Sequence, residues 1–116
     1  ASSTHHDVLA RLALVPMVLE ARGLDTTHTA VARLEANGDA VTAAILEKIG
    51  REDISHVAAG VRWFEHVATN RSLDPLATFH DLVAKLFAGS IKPPFNAQAR
   101  ITAGMSEAYF RPHESN

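Results

Sequence analysis

The side chains whose types and spacing suit chemistry are Glu20 and the pair Asp53 and His56 in the string Asp53-Ile54-Ser55-His56. Both strings fall in segments with helical periodicity. Successive helical residues advance by about 100°, so Asp53 and His56 stand roughly 60° apart and one turn removed. They can therefore reach one ion lying between two helices. Carboxylate oxygens with a neutral imidazole suit iron, manganese or zinc. One carboxylate on one helix and an acid-x-x-His on the next make half the ligand set of a dinuclear carboxylate centre in a four-helix bundle. A complete centre needs two such sets, and the 116 residues contain one. Two metal ions would also supply the counter-charge that buried carboxylates require.

Simpler readings of the same residues compete with this one. Glu20 follows Met17, Val18 and Leu19 and is expected a turn before its helix ends, facing the negative end of the helix dipole. Buried and unpaired it would be strongly destabilising, so a cation is required nearby. A metal would serve, and so would Arg22, Arg51 or Arg62. Glu52 lies four residues before His56, also a helical-face spacing, and is the alternative to Asp53. It stands about 100° from the apolar series and reads as solvent-facing. Glu47 and Glu65 read as solvated. His5, His6 and His113 lie near the termini, His28 near a cap, and His66 and His80 beside apolar positions; none is assigned as a ligand. Trp63 next to Phe64 reads as core. No Gly-x-Ser-x-Gly turn and no Gly-rich phosphate loop occurs, which leaves serine nucleophiles and phosphate cradles without support. Residues that would act catalytically beyond the metal ligands are not identified.

The elements that must position these groups are all helical. A first helix is expected over about 7–22, kinked at Pro16 and stopped by Gly23. A short helix over about 28–37 would enter through Thr26 or Thr27 and end at Asn37-Gly38. Asp39 caps the longest expected helix, about 40–70. Its apolar series Val41, Ala44, Ile45, Ile49, Gly60, Phe64 and Val67 includes Asp53 and His56, which should point inward with it. Asp74-Pro75 starts a helix over about 75–88. Lys92-Pro93-Pro94-Phe95 is expected to be extended, within an irregular tail over 89–116 where Asn96 and Ser106 cap short turns. No strand-like alternation occurs, so the fold class is all-α in a single domain over 1–116.

Composition narrows the function classes. Eleven Lys and Arg against thirteen Asp and Glu give a net charge of −2, with the signs interspersed and no basic stripe for nucleic acid. The absence of cysteine excludes disulfides, Cys-ligated zinc, iron–sulfur clusters and thiol catalysis. Leu12 to Leu19 is too short to span a bilayer, and the start lacks a signal-peptide pattern. The expectation is a cytoplasmic protein with neither nucleic-acid nor membrane partners. Ala1 in place of Met fits either initiator-Met removal or a fragment.

Several strings resemble a bacterial family. The run from His6 to Asp25, with Leu14-Val15-Pro16-Met17-Val18-Leu19-Glu20-Ala21-Arg22-Gly23 at its centre, closely resembles the ferritin-like family catalogued as domain of unknown function 455. So do Ala43-Ala44-Ile45-Leu46-Glu47, Asp53-x-x-His56-Val57-Ala58-x-Gly60-x-Arg62-Trp63-Phe64, and Lys92-Pro93-Pro94-Phe95-Asn96 with Ala99-Arg100 and Ala103-Gly104. The resemblance covers His6 to Tyr109. It implies chains about twice this long, with one Glu and one Glu-x-x-His in each half; this chain resembles the second half. The ligand positions it carries over are Glu20, Asp53 and His56. Asp53 departs from the Glu usual there, shortening the reach by about 1 Å, and Glu52-Asp53 looks like an interchange of the family's order.

The resemblance implies a ferritin-like half-bundle holding part of a dinuclear iron or manganese centre, with substrate unspecified. A second chain would complete it through apolar faces on the first and third helices, making a homodimer with the site on its two-fold axis, much as encapsulated ferritins build iron sites between subunits. Such a centre implies a non-haem oxidoreductase: a dioxygen-dependent oxidase or hydroxylase, or a ferroxidase. The alternatives are a metal-free helical interaction module, a degenerate or truncated remnant, and a mononuclear zinc or iron site in a monomer.

Overall fold

The computed structural model of the chain describes residues 7–111. His5, His6 and His113 lie outside them. Asp7 opens the first helix by accepting the Leu9 N–H at 2.9 Å. From there α1 (Val8–Leu12), a π-helical stretch (Ala13–Glu20) and α2 (Ala21–Ala36) run on without a break. The expected stop at Gly23 does not occur. Instead Gly38, with φ 84°, turns the chain after Ala36. Thr26 and Thr27 cap nothing, because the helix is already under way. The Thr26 hydroxyl donates to the Gly23 carbonyl at 3.2 Å, and Thr29 does the same to Asp25 at 3.3 Å, a bond that keeps these side chains inside a helix.

Pro16 has no N–H to donate to Leu12, and its ring crowds that carbonyl. At this expected kink the backbone answers by widening: the Ala21 N–H reaches back five residues to the Pro16 carbonyl. The ring then nests on α3 (Ala40–Asn70) at Gly60, where any Cβ would overlap it. The helices approach so closely here that the position needs a glycine.

The remaining starts follow the sequence. Asp39 accepts the Thr42 N–H at 3.0 Å, and that bond holds its carboxyl below the ordinary range. Asp74 accepts from Ala77 at 2.8 Å ahead of α4 (Pro75–Leu86), and Asn96 from Ala99 at 3.2 Å ahead of α5 (Ala97–Thr102). The last element, α6 (Glu107–Phe110), begins after Ser106, but the Ser106 side chain does not make the capping bond expected of it. The described residues contain no strand, so the fold is all-α. None of their helices is long and apolar enough to cross a membrane.

α3 is the central strut, packed on α2, the π-helical stretch, α4 and α5. Met17, Val57, Val61, Phe64, Phe79 and Met105 are the largest fully buried side chains of the core. Phe79 meets Phe64 edge-on at 5.9 Å and Tyr109 at 5.3 Å between centroids. The tail is fastened by an ion pair absent from the sequence reading. Asp25 and Arg100 are both 2% exposed. Arg100 donates to the two carboxylate oxygens at 3.0 and 2.6 Å, and the Asn96 N–H donates to Asp25 at 2.7 Å. The guanidinium also lies over Phe95 and Phe110, 5.0 Å from each centroid.

The buried stripe of α3 is Ala43, Val57, Gly60, Val61, Phe64 and Ala68. The expected inward series is only partly this one. Val41, Ile45 and Ile49 lie on a neighbouring, exposed face, and so does Trp63, which is 59% exposed rather than core. Val15 and Leu19 are exposed on the first helix as well. An apolar strip thus stays open to solvent along two packed helices.

Candidate metal centre

Glu20 ends the π-helical stretch, and Asp53 and His56 lie near the middle of α3. The packing of Pro16 on Gly60 sets these helices side by side one turn away from both groups, Pro16 four residues before Glu20 and Gly60 four after His56. His56 Nδ1 lies 3.7 Å from Glu20 Oε2 and 4.0 Å from Asp53 Oδ1. The three side chains singled out in the sequence therefore converge.

They do so on the open face. The His56 side chain is 64% exposed and those of Glu20 and Asp53 little more than a third, so the inward orientation expected for Asp53 and His56 is not what this chain shows. The physical reason is register. Val57 and Gly60 occupy the core stripe, and His56 sits about 100° from Val57 around the helix. Glu20 is likewise mid-helix rather than at a C-terminal end, because the helix continues to Ala36. The basic side chain beside it is His56. Arg22 is taken by Asp25 at 3.5 Å and the Lys92 carbonyl at 2.8 Å, and Arg51 by Glu47 at 2.9 Å. Glu52 is exposed, and its carbonyl accepts the Ser55 hydroxyl at 2.8 Å; the carboxylate of this string that reaches His56 is Asp53's.

Among the described residues, no group of three or more His, Cys, Asp or Glu side chains is arranged to hold a metal ion. Glu20, Asp53 and His56 meet pairwise through the imidazole, leaving one side open. Oxygen and nitrogen donors of this kind suit a first-row divalent metal, but as an incomplete shell.

Two other histidines, His66 and His80, are accounted for by neighbours. His66 Nε2 lies 3.1 Å from Asn70 Nδ2 and its ring stands edge-on to Trp63, while His80 Nε2 is 2.7 Å from the Ala108 carbonyl. The Tyr109 hydroxyl donates to Glu65 at 2.7 Å. Burial, then that hydrogen bond and the Glu65 charge, push its pKa well above the ordinary 10.0. Glu65 is thus a partner of a buried phenol rather than a purely solvated acid. Asp25 and Arg100 were missed because they lie 75 positions apart; the signal available was an acid directly after the apolar Leu24.

A family model described as "Protein of unknown function (DUF455)" matches residues 1–111. The chain belongs to this family. A relative from Haemophilus influenzae, described as an uncharacterized protein, is 38% identical over 107 residues. That match covers 92% of this chain and 37% of the relative, so the DUF455 chain spans well under half of that protein's length. No solved structure matches it.

Proposed function

We propose that this DUF455 chain is one half of a ferritin-like bundle and contributes one half of a dinuclear iron or manganese carboxylate centre. The observation that carries the reading is the convergence of Glu20 and Asp53 on Nδ1 of His56 across two packed helices. The strip around them supports it: Leu19, Ile45, Ile49 and Trp63 are exposed apolar side chains flanking polar ligand types. A matching half would bury both together. The same strip on a second copy of the chain is the complement this reading adopts, giving a homodimer with the site at its two-fold axis. Because the chain spans 37% of its relative, a further segment of a longer protein is the other complement.

In this arrangement His56 would ligate through Nδ1, and Glu20 and Asp53 would chelate or bridge. Burial of the strip would exclude water and strengthen every charge interaction at the site. Bound iron would supply redox chemistry, as in a dioxygen-dependent oxidase or hydroxylase or a ferroxidase. The second reading, a metal-free helical interaction module, is favoured by one observation: the three donors do not by themselves close a ligand set.

Anaerobic loading with ferrous ion followed by desalting separates the two. About one iron per chain, lost in His56→Ala, is the result expected of a two-ion site shared by two sets. No retained metal in either protein overturns a centre built from two copies of this chain, and leaves the interaction module or a half completed by the further segment.

A further inference from the structure

The π-helical stretch decides which side chain the first helix offers to His56. In an unbroken α-helix Glu20 would lie within about 40° of Leu9, Ala13 and Pro16 around the axis. All three are buried, so Glu20 would face the middle of the core. Asp25 would lie roughly 160° from Leu9, on the opposite face. Neither holds. Asp25 is 2% exposed, Ala21 is fully buried, Leu24 is buried, and Glu20 is at the edge beside His56. Absorbing one extra residue between Ala13 and Glu20 accounts for all four. It brings Ala21, Leu24 and Asp25 to within about 60° of Leu9 and moves Glu20 to about 80° away.

Pro16 supplies the cause. It breaks the α ladder toward Leu12, and the ladder is rejoined one residue wider, from the Ala21 N–H to the Pro16 carbonyl. Gly60 makes the room, since its missing Cβ is where the Pro16 ring sits. We propose that Pro16, seated on Gly60, is a register device that takes Glu20 out of the core and delivers it to His56. Only the use made of Glu20 rests on the metal-centre reading; the register does not. Pro16 and Gly60 are positioning residues and touch no metal.

The chain has no cysteine, so Glu20→Cys gives a single reporter thiol. Its reaction with an aromatic disulfide reagent is followed, without metal, in three backgrounds: the parent, Pro16→Ala, and Pro16→Ala with Val15 deleted. Val15 is exposed, and removing it subtracts the extra residue while leaving the core untouched. Pro16→Ala lets the helix revert to α and turns position 20 inward, slowing the reaction about tenfold or more, as protection within a core does. Deleting Val15 restores the parent rate. His56→Cys, read the same way, reacts equally with Pro16 or Ala at position 16. Equal reactivity of position 20 in the first two backgrounds overturns the proposal, and so does failure of the deletion to restore it. Should Pro16→Ala alone not fold, the deletion background decides: a parent-like rate supports the device, and a chain that remains unfolded overturns it.

The same backgrounds with Glu20 intact are then loaded with iron. Loss in Pro16→Ala and recovery on deleting Val15 extends the device to the metal centre. Thiol rates as expected with no iron held by any of the three sink the centre built from two copies of this chain and leave the register device standing.

Discussion

Arg100 is the residue whose removal should be felt most. Its guanidinium is 2% exposed and satisfies both oxygens of a carboxylate that is equally buried. Arg100→Ala would leave the buried Asp25 carboxyl with only the Asn96 N–H at 2.7 Å and the half-exposed Arg22 at 3.5 Å as partners. Stranding one member of a buried pair costs about 3–5 kcal/mol. The paired replacement Asp25→Leu with Arg100→Met is expected to recover most of that loss, because it removes the desolvation cost along with the attraction. Urea unfolding of the three proteins checks both statements. Tyr109 gives a prediction in pH. Its folded pKa is raised above the ordinary 10.0, so its contribution to stability is fully present below pH 10.0 and is lost as pH rises from there toward the folded value. Tyr109→Phe loses the bond to Glu65 and about 1 kcal/mol at neutral pH. Above pH 10.0, however, its stability should fall less steeply than the parent's. Equal slopes in alkaline urea titrations would remove the linkage.

At the scale of elements, two glycines in helices should respond oppositely to the same change. Gly23 lies inside α2 with nothing within 4 Å of where a Cβ would be. Gly23→Ala is therefore expected to stabilise by roughly 0.5–1 kcal/mol through the unfolded chain's lost freedom. At Gly60 the methyl lands on the Pro16 ring, and Gly60→Ala should cost about 1–3 kcal/mol as overpacking. Thermal melts of both, read beside helicity, make the comparison. Gly23 also shows where the sequence misleads. A glycine after an apolar helical run signals a stop, but stopping needs the chain to turn, and the side chains beyond it continue a helix held by the Asp25–Arg100 pair. That pair joins residues 75 positions apart, and no local pattern carries it. The caps at Asp39, Asp74 and Asn96 were legible because each bonds an amide three residues ahead. Spacing alone likewise brought Glu20, Asp53 and His56 into one candidate site. What spacing could not give is the face, since one residue absorbed at Pro16 rotates everything that follows.

For the whole molecule the unresolved force is the open apolar strip. Val15 and Leu19 on the first helix and Val41, Ile45, Ile49 and Trp63 on α3 are each between 48% and 74% exposed, a pattern soluble chains usually cover. The molecule is also elongated, 53 × 30 × 23 Å, so the strip runs along its length and leaves room for a second pair of helices. With a second copy as the cover, residues at the centre of the strip decide both association and metal retention. Leu19→Lys with Ile49→Lys places two charges there without touching a ligand or a buried position. Helicity should be unchanged, because both sites are solvent-facing in the isolated chain. Sedimentation equilibrium should find the parent dimeric and the double variant monomeric, and the iron retained per chain should fall with the dimer. A parent that is monomeric and still holds iron would refute the homodimer. A parent that is monomeric and holds none, but gains both on addition of the remaining segment of a longer relative, would transfer the complementary half to that segment. Charge at Leu19 and Ile49 should then block that association in the same way, since the strip is the surface either partner must cover.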